Sequence, residues 1–308
     1  MQVLVTGGTG FIGRALVERL LARGDQVTGL TRHPGRAQAA FEGAGRVTWL
    51  VWDAQHGGDW QARLAGQDAV VHLAGEQAAG RRYTKEVERQ ILESRVASTH
   101  RLVEAMARAP SASRPKVFVC ASGVGYYGNR DDGAPLDESS PPGSDFLARV
   151  CVEWEAAAGA AETEGVRAVS ARTGLVLGRN GGALAKMVPI FKTGLGGRLG
   201  SGKQPMPWIH MADVVGAYLH AIEDATLRGA INLSAPNPVS NAEFARTLGR
   251  VLGRPALLPA PAFALKALFG EGAEPLLGGQ NARPRALLDH GYRFQFSELE
   301  PALRDLLS

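Results

Sequence analysis

The chain has 308 residues, 45% of them hydrophobic and 21% charged, a balance that excludes wholesale disorder and leaves room for one large or two small domains. Its 39 glycines follow no three-residue period, which excludes a collagen-like rod. The 34 Lys and Arg exceed the 30 Asp and Glu by a net +4, spread without the basic patch or stripe of a nucleic-acid binder.

Val3-Leu4-Val5 is a short continuous apolar run, as expected of a parallel strand buried on both faces. Thr6-Gly7-Gly8-Thr9-Gly10 reads as a tight turn. From Phe11 the period lengthens: Ile12, Ala15, Leu16, Arg19 and Leu20 share a helical spacing until Gly24 stops the helix. Gln26–Leu30 is a second strand, closing a βαβ unit of about thirty residues. Further strands are predicted at Arg46–Trp52, Ala69–Leu73, Lys116–Cys120, Val166–Arg172 and Ile231–Leu233. Helices are predicted at Glu86–Arg108, Leu147–Ala161, Asp213–Glu223 and Asn241–Leu252, the last capped by Ser240 with Glu243 three residues on. Strands separated by helical segments imply an α/β fold, a doubly wound parallel sheet of Rossmann type. Residues 178–208, rich in Gly and Pro, read as a long loop around one short helix. Residues 255–308 read as a last compact piece packed on the first domain. The expected division is a dinucleotide domain at 1–175, with 210–235 returning to it, and a smaller α/β substrate-side domain at 176–308.

Cys120 and Cys151 are the only cysteines and show no metal spacing, which fits a reducing cytoplasm. The start of the chain lacks the basic and apolar regions of a cleavable leader, and no stretch of about 18 apolar residues offers a membrane span.

Gly7-x-x-Gly10-x-x-Gly13 joins the first strand to the first helix. Gly7 permits the turn, Gly10 lets backbone approach a pyrophosphate, and Gly13 lets helix and strand pack closely. With Thr9, Phe11 and Ile12 they form the candidate cofactor loop, at a helix N-terminus that favours anions. The second strand ends Leu30-Thr31-Arg32-His33, without the acid that usually holds a ribose 2′-hydroxyl. Arg32, with Thr31, instead suits a 2′-phosphate, and NADP(H) is the expected cofactor. Asp53 is placed to accept from the adenine amino group; a solvated surface Asp is the alternative. Gly197–Gln204 nearly matches a phosphate loop, but Gln204 replaces the magnesium-binding hydroxyl and Pro205 and Pro207 forbid the helix that should follow.

Four segments together carry a resemblance: Thr6–Gly13, His72-Leu-Ala-Gly75, Arg172–Gly178 and Trp208–Asp213. In this order they resemble the extended short-chain dehydrogenase/reductases, the NAD(P)-dependent epimerase/dehydratase superfamily, over essentially the whole chain. Ala74-Gly75-Glu76, Glu93-Ser94-Arg95, Gly125-Tyr126-Tyr127-Gly128, Gly194–Gly197 and Leu277–Gln280 are similar to an atypical sugar-nucleotide epimerase-like subgroup with a C-terminal domain of unknown function. The resemblance implies that Leu73, Ala74 and Gly75 line the cofactor and that Arg95 stands near its nicotinamide side. It also implies a Tyr-x-x-x-Lys pair, but counting from Ser122 places Leu147 and Cys151 there, with Glu155 where the family often has an acid. Leu cannot transfer a proton, so Tyr126 or Tyr127 is the candidate donor, with Ser122 holding the substrate oxygen. His210 is read as a packing histidine and Asp213 as the cap of the next helix. The function expected is NADP(H)-dependent oxidoreductase or epimerase chemistry on a small polar molecule, nucleotide sugars included, with Arg198 and Lys203 near a substrate phosphate. The alternative is a silent NADP(H) sensor. Neither a nucleic acid nor a membrane is an expected partner. Helices 86–108 and 147–161 could pair two copies as a homodimer.

Overall fold

A computed structural model describes every residue except 42–46, 55, 79–81, 131–132 and 180, and leaves the side chains at 268, 269, 271, 275 and 276 undescribed. The first half contains β1 (Gln2–Thr6), α1 (Phe11–Ala22), β2 (Gln26–Thr31), α2 (Pro34–Ala40), β3 (Val47–Val51), β4 (Ala69–His72), α3 (Lys85–Arg108), β5 (Val117–Gly123), β6 (Pro135–Leu136) and α4 (Phe146–Gly159). The second half contains β7 (Arg167–Thr173), β8 (Leu175–Gly178), α5 (Gly182–Lys192), β9 (Pro205–Met206), β10 (Trp208–His210), α6 (Met211–Glu223) and β11 (Gly229–Leu233). It closes with β12 (Val239–Ser240), α7 (Asn241–Leu252), α8 (Ala262–Phe269), α9 (Glu274–Leu277), β13 (Asn281–Ala282), α10 (Arg285–Asp289) and α11 (Leu299–Leu307).

Seven strands form one sheet in the order β11-β7-β5-β4-β1-β2-β3, every neighbouring pair parallel. The α/β fold expected from the alternating strands and helices is therefore present. The chain order reverses between β1 and β4, the crevice where ligands bind in open α/β sheets.

β1 and β4 are buried on both faces and read as unbroken apolar runs, whereas the edge strand β3 leaves Val51 exposed. Val3, Val5, Val71, Val119 and Val169 pack with Leu16, Val17 and Leu20 of α1 and with Val214, Ala217 and Tyr218 of α6. Leu4, Val70, Phe118 and Ala168 pack on the other side with Leu102 and Met106 of α3 and Trp154 and Ala158 of α4. α3 and α4 are capped by Thr84 and Asp145, whose side chains accept from Val87 N and Ala148 N. α7 occupies the expected span, its Ser240 cap accepting from Glu243 N at 3.2 Å.

Three features differ from the expectation. Arg46, placed at the start of a strand, lies outside the described residues, and that strand runs Val47–Val51. The 178–208 loop holds α5 as foreseen, and its last residues form β9 and β10; β10 pairs with β8 and β9 with β12. The tail divides. Leu287 of α10 joins the core beside β11, whereas Leu299, Ala302, Leu303 and Leu306 of α11 pack with Leu184, Phe191, Trp208, Phe244 and Leu248.

Candidate functional site

Two of the three loop glycines are dictated by contacts inside the protein. Gly7 has φ +67°, and a Cβ there would stand 2.8 Å from the Leu73 carbonyl carbon and 2.9 Å from Ala74 N. A Cβ on Gly13 would stand 2.1 Å from the Gly7 carbonyl oxygen, so the loop closes on the first turn of α1 only without side chains. Gly10 caps α1, and a Cβ there would meet only Gly7 O, at 3.2 Å. The first turn of α1 contains no acid to answer its free N–H groups.

Behind the loop Thr6 Oγ1 accepts from Leu73 N and Ala74 N at 3.2 and 3.3 Å and lies 2.6 Å from His72 Nδ1. His72 Nε2 lies 2.9 Å from Ser98 Oγ, whose own proton goes to the Ser94 carbonyl at 2.7 Å. His72 therefore donates from Nε2 and accepts Thr6 O–H at Nδ1. Complete burial, helped by the charge of Arg95, pushes its pKa down to about 3, so the chain of hydrogen bonds is a neutral one linking β1, β4 and α3.

Around this loop, Arg32 is largely exposed past the end of β2, 3.9 Å from Glu76 Oε1. Thr31 Oγ1 accepts from His33 N. Asp53 is exposed and pairs with His56 Nδ1 at 2.6 Å. Arg95 lies against Gly75, donates to Ile91 O and Glu76 O at 3.0 and 2.8 Å, and sits 5.1 Å over the Trp154 ring. The ring of Phe11 lies against Gly178, Gly181 and Gly182, where Cβ atoms would fall 2.5–2.7 Å from it.

At the carboxyl ends of β5 and β7 a buried charged network forms. Arg172, 4% exposed, grips Glu155 through Nε and Nη2 at 2.8 Å each. Burial opposes its charge, but Glu155 outweighs burial and raises its pKa. Ser122 donates to Glu155 Oε1 at 2.7 Å. Tyr127 is fully buried, donates to Asn232 Oδ1 at 2.8 Å and accepts from Arg172 Nη1 at 3.0 Å; burial pushes its pKa up to about 12, against the pull of Arg172. Two of the three hydroxyls expected to meet substrate, those of Ser122 and Tyr127, are thus engaged within the protein. Tyr126 is half-buried, its ring 3.4 Å beneath the Arg172 guanidinium.

Leu147, Cys151 and Glu155 follow one another by single turns on the face of α4 that meets β5. Leu147 lies beside Gly125 and Cys151 Sγ beside Gly123, while Glu155 meets Ser122. Cys151 is buried, and desolvation pushes its thiol up to about 11, the state of an inert packing cysteine. Asp213 is not the cap of α6. His210 is, its Nδ1 accepting from Ala212 N at 3.1 Å. Asp213 is fully buried and accepts from Gln295 N and Phe296 N at 2.7 and 3.0 Å, pinning the tail. His210 packs against Phe296, with Nε2 3.3 Å from Asp305.

A cleft of about 610 Å³ opens beside Gly125, Leu147 and Thr173 and is walled on its far side by Met187 of α5, Met206 of β9 and the Gly278–Gln280 turn. Arg198 and Lys203 are not among its lining residues; Arg198 donates to Gly200 O and Ser201 O of its own loop. Tyr83 is a wall residue that the sequence pattern did not flag, its hydroxyl oxygen buried without a hydrogen-bond partner among the described residues. A lone Tyr beside an Arg pair carries no periodic signal. No described helix is long and apolar enough to cross a membrane.

A sequence model of the NAD dependent epimerase/dehydratase family matches residues 3–234, and one for a domain of unknown function, DUF1731, matches residues 260–306. An Arabidopsis thaliana protein described as a chloroplastic homolog of epimerase family protein SDR39U1 is 42% identical over 307 residues, 100% of this chain and 87% of that one. The crystal structure of human epimerase family protein SDR39U1 (isoform2) with NADPH superposes with a TM-score of 0.86 at 40% identity, over 99% of each chain. A nucleoside-diphosphate sugar epimerase structure from Corynebacterium glutamicum gives a TM-score of 0.78 at 32% identity, over 100% of this chain and 58% of that one.

Proposed function

The chain belongs to the NAD-dependent epimerase/dehydratase family, and on that premise we propose that it is an NADP(H)-dependent oxidoreductase or epimerase acting on a small molecule in the cleft beside Leu147. The observation that carries this is the loop itself: a backbone cradle shaped by Gly7 and Gly13, ending at a helix N-terminus without an acidic residue in its first turn. That arrangement fits a diphosphate. Arg32 supplies a cation past β2 for a 2′-phosphate, and the human relative holding NADPH supports that choice. Leu73, Ala74 and Gly75 would flank the cofactor. Arg95 would set the shape of this segment through its bond to Glu76 O, next to the reactive end.

The bound dinucleotide would supply a hydride acceptor or donor. The protein's own part is to exclude water, orient the substrate and exchange a proton. Ser122 and Tyr127 are committed to Glu155 and Asn232, so their role is to hold the end of β5 and the turn that follows it. Tyr126 does not itself line the cleft but follows its wall residue Gly125, and it is the group we assign to proton exchange. The two buried free thiols fit a reducing compartment such as the cytoplasm.

Leu147 on the cleft favours a second reading, in which the protein binds NADP(H) and reports its redox state without turnover. NADPH fluorescence titration, followed by absorbance assays with carbonyl and hydroxyl compounds, separates the two. Absence of affinity for NADPH and NADH alike overturns both. Tight binding without turnover selects the sensor. Turnover unchanged in Tyr126→Phe removes Tyr126 as the proton donor.

A further inference from the structure

The cleft wall reveals what its occupant must be. Phe146, Leu147, Leu175, Met187, Met206 and Pro207 present apolar surface. Among the described lining residues the charged groups are three carboxylates, Glu88, Asp145 and Glu274, against a single guanidinium, Arg149. That guanidinium is exposed and already donates to Ser144 O at 3.0 Å. The N-terminus of α4, which would otherwise attract an anion, is answered by Asp145 Oδ1 accepting from Ala148 N at 2.9 Å. Asn241 Oδ1 and Gln280 Nε2 are likewise engaged, with Leu199 N and Gly128 O. A diphosphate here would face like charge, three carboxylates against one cation.

One polar atom points the other way. The Tyr83 hydroxyl is buried, has no hydrogen-bond partner among the described residues, and belongs to a side chain held edge-on by Phe146 with ring centroids 5.6 Å apart. A buried donor left unpaired is costly, and such groups in native structures call for an explanation. Burial, outweighing the pull of nearby Arg95, pushes its pKa up to about 12, so it remains an O–H donor at neutral pH.

We propose that the substrate is an uncharged, largely apolar molecule without phosphate, one of whose carbonyl or hydroxyl oxygens accepts the Tyr83 O–H. This rests on the cleft of the proposed function and narrows it, setting aside the nucleotide sugars and the polar substrate that the family resemblance suggests. The apolar walls supply affinity through burial, and the Tyr83 hydroxyl supplies orientation.

The test uses the full chain labelled with ¹³C-methyl methionine. Met187 and Met206 line the cleft, while Met106 is fully buried in the core and reports the fold. The probes are 1-tetralone, its oxygen-free counterpart tetralin, and UDP-glucose. We expect 1-tetralone to shift the Met187 and Met206 signals saturably, and UDP-glucose to leave both in place at the same millimolar concentration. Tyr83→Phe should weaken 1-tetralone roughly fivefold, towards tetralin, with Met106 unmoved. Saturable shifts with UDP-glucose, or none with 1-tetralone, overturn the substrate assignment. An unchanged 1-tetralone affinity in Tyr83→Phe overturns the role of Tyr83. NADPH binding is followed in the same samples by its fluorescence. If NADPH fails to bind while 1-tetralone shifts the methionines, the cofactor reading falls and the cleft assignment stands.

Discussion

Ser122 Oγ and Arg172 Nε converge on one oxygen: Glu155 Oε1 accepts from them at 2.7 and 2.8 Å. This carboxylate joins α4 to the ends of β5 and β7 and neutralises a cation that is 4% exposed. Removing it in Glu155→Ala leaves Arg172 buried and unpaired, and should cost about 3–5 kcal/mol in urea unfolding. Replacing both partners with Met should cost far less, since the desolvation penalties vanish together. Equal losses in the single and double variants contradict the pairing.

The glycines divide into two kinds. Gly13→Ala forces a Cβ into the Gly7 carbonyl, and should lose about 1–3 kcal/mol of stability along with NADPH affinity. Gly159, at the end of α4, has φ −61°, and a Cβ there would have nothing within 4 Å. Gly159→Ala should therefore gain about 0.4–1 kcal/mol, seen as a higher urea midpoint with an unchanged slope.

Arg32 is the residue proposed to choose between the dinucleotides. Arg32→Ala should weaken NADPH tenfold or more, the loss expected of a charge-assisted contact worth about 1.5–3 kcal/mol, and leave NADH nearly unchanged. Parallel titrations check this, and equal losses refute the phosphate contact.

His72 makes stability depend on pH. Its pKa falls from 6.5 to about 3, through burial and then the charge of Arg95. The unfolded chain therefore binds more protons within that window. The contribution is complete above pH 6.5 and shrinks as pH falls towards 3, by up to about 1.4 kcal/mol per pH unit. Unfolding free energies measured across the window should show this slope, and His72→Gln should flatten it.

What the sequence reveals follows from how local the signal is. The central strands β1 and β4 are legible because burial on both faces writes an unbroken apolar run, and α7 because its cap and period agree. α2 went unread: seven residues with only Ala37 buried carry no apolar face, and Pro34 at its start resembles a turn as much as an N1 residue. Asp213 looks like a cap because it opens an apolar helix. Its true partners, Gln295 and Phe296, lie 82 and 83 residues away, beyond any periodicity. The same holds for the committed hydroxyls of Ser122 and Tyr127, and for Tyr83, whose meaning comes from a wall built by the C-terminal half.

Phe11 belongs to the first turn of α1, yet its ring fills the space that side chains on Gly178, Gly181 and Gly182 would need. Three glycines at the turn after β8 leave room for one aromatic group. Because α5 starts at Gly182 and carries Met187 into the cleft, the anion-seeking end of α1 and the apolar wall of the cleft share a common mechanical joint. A side chain gained at that turn would disturb both pockets at once, through a single displaced ring.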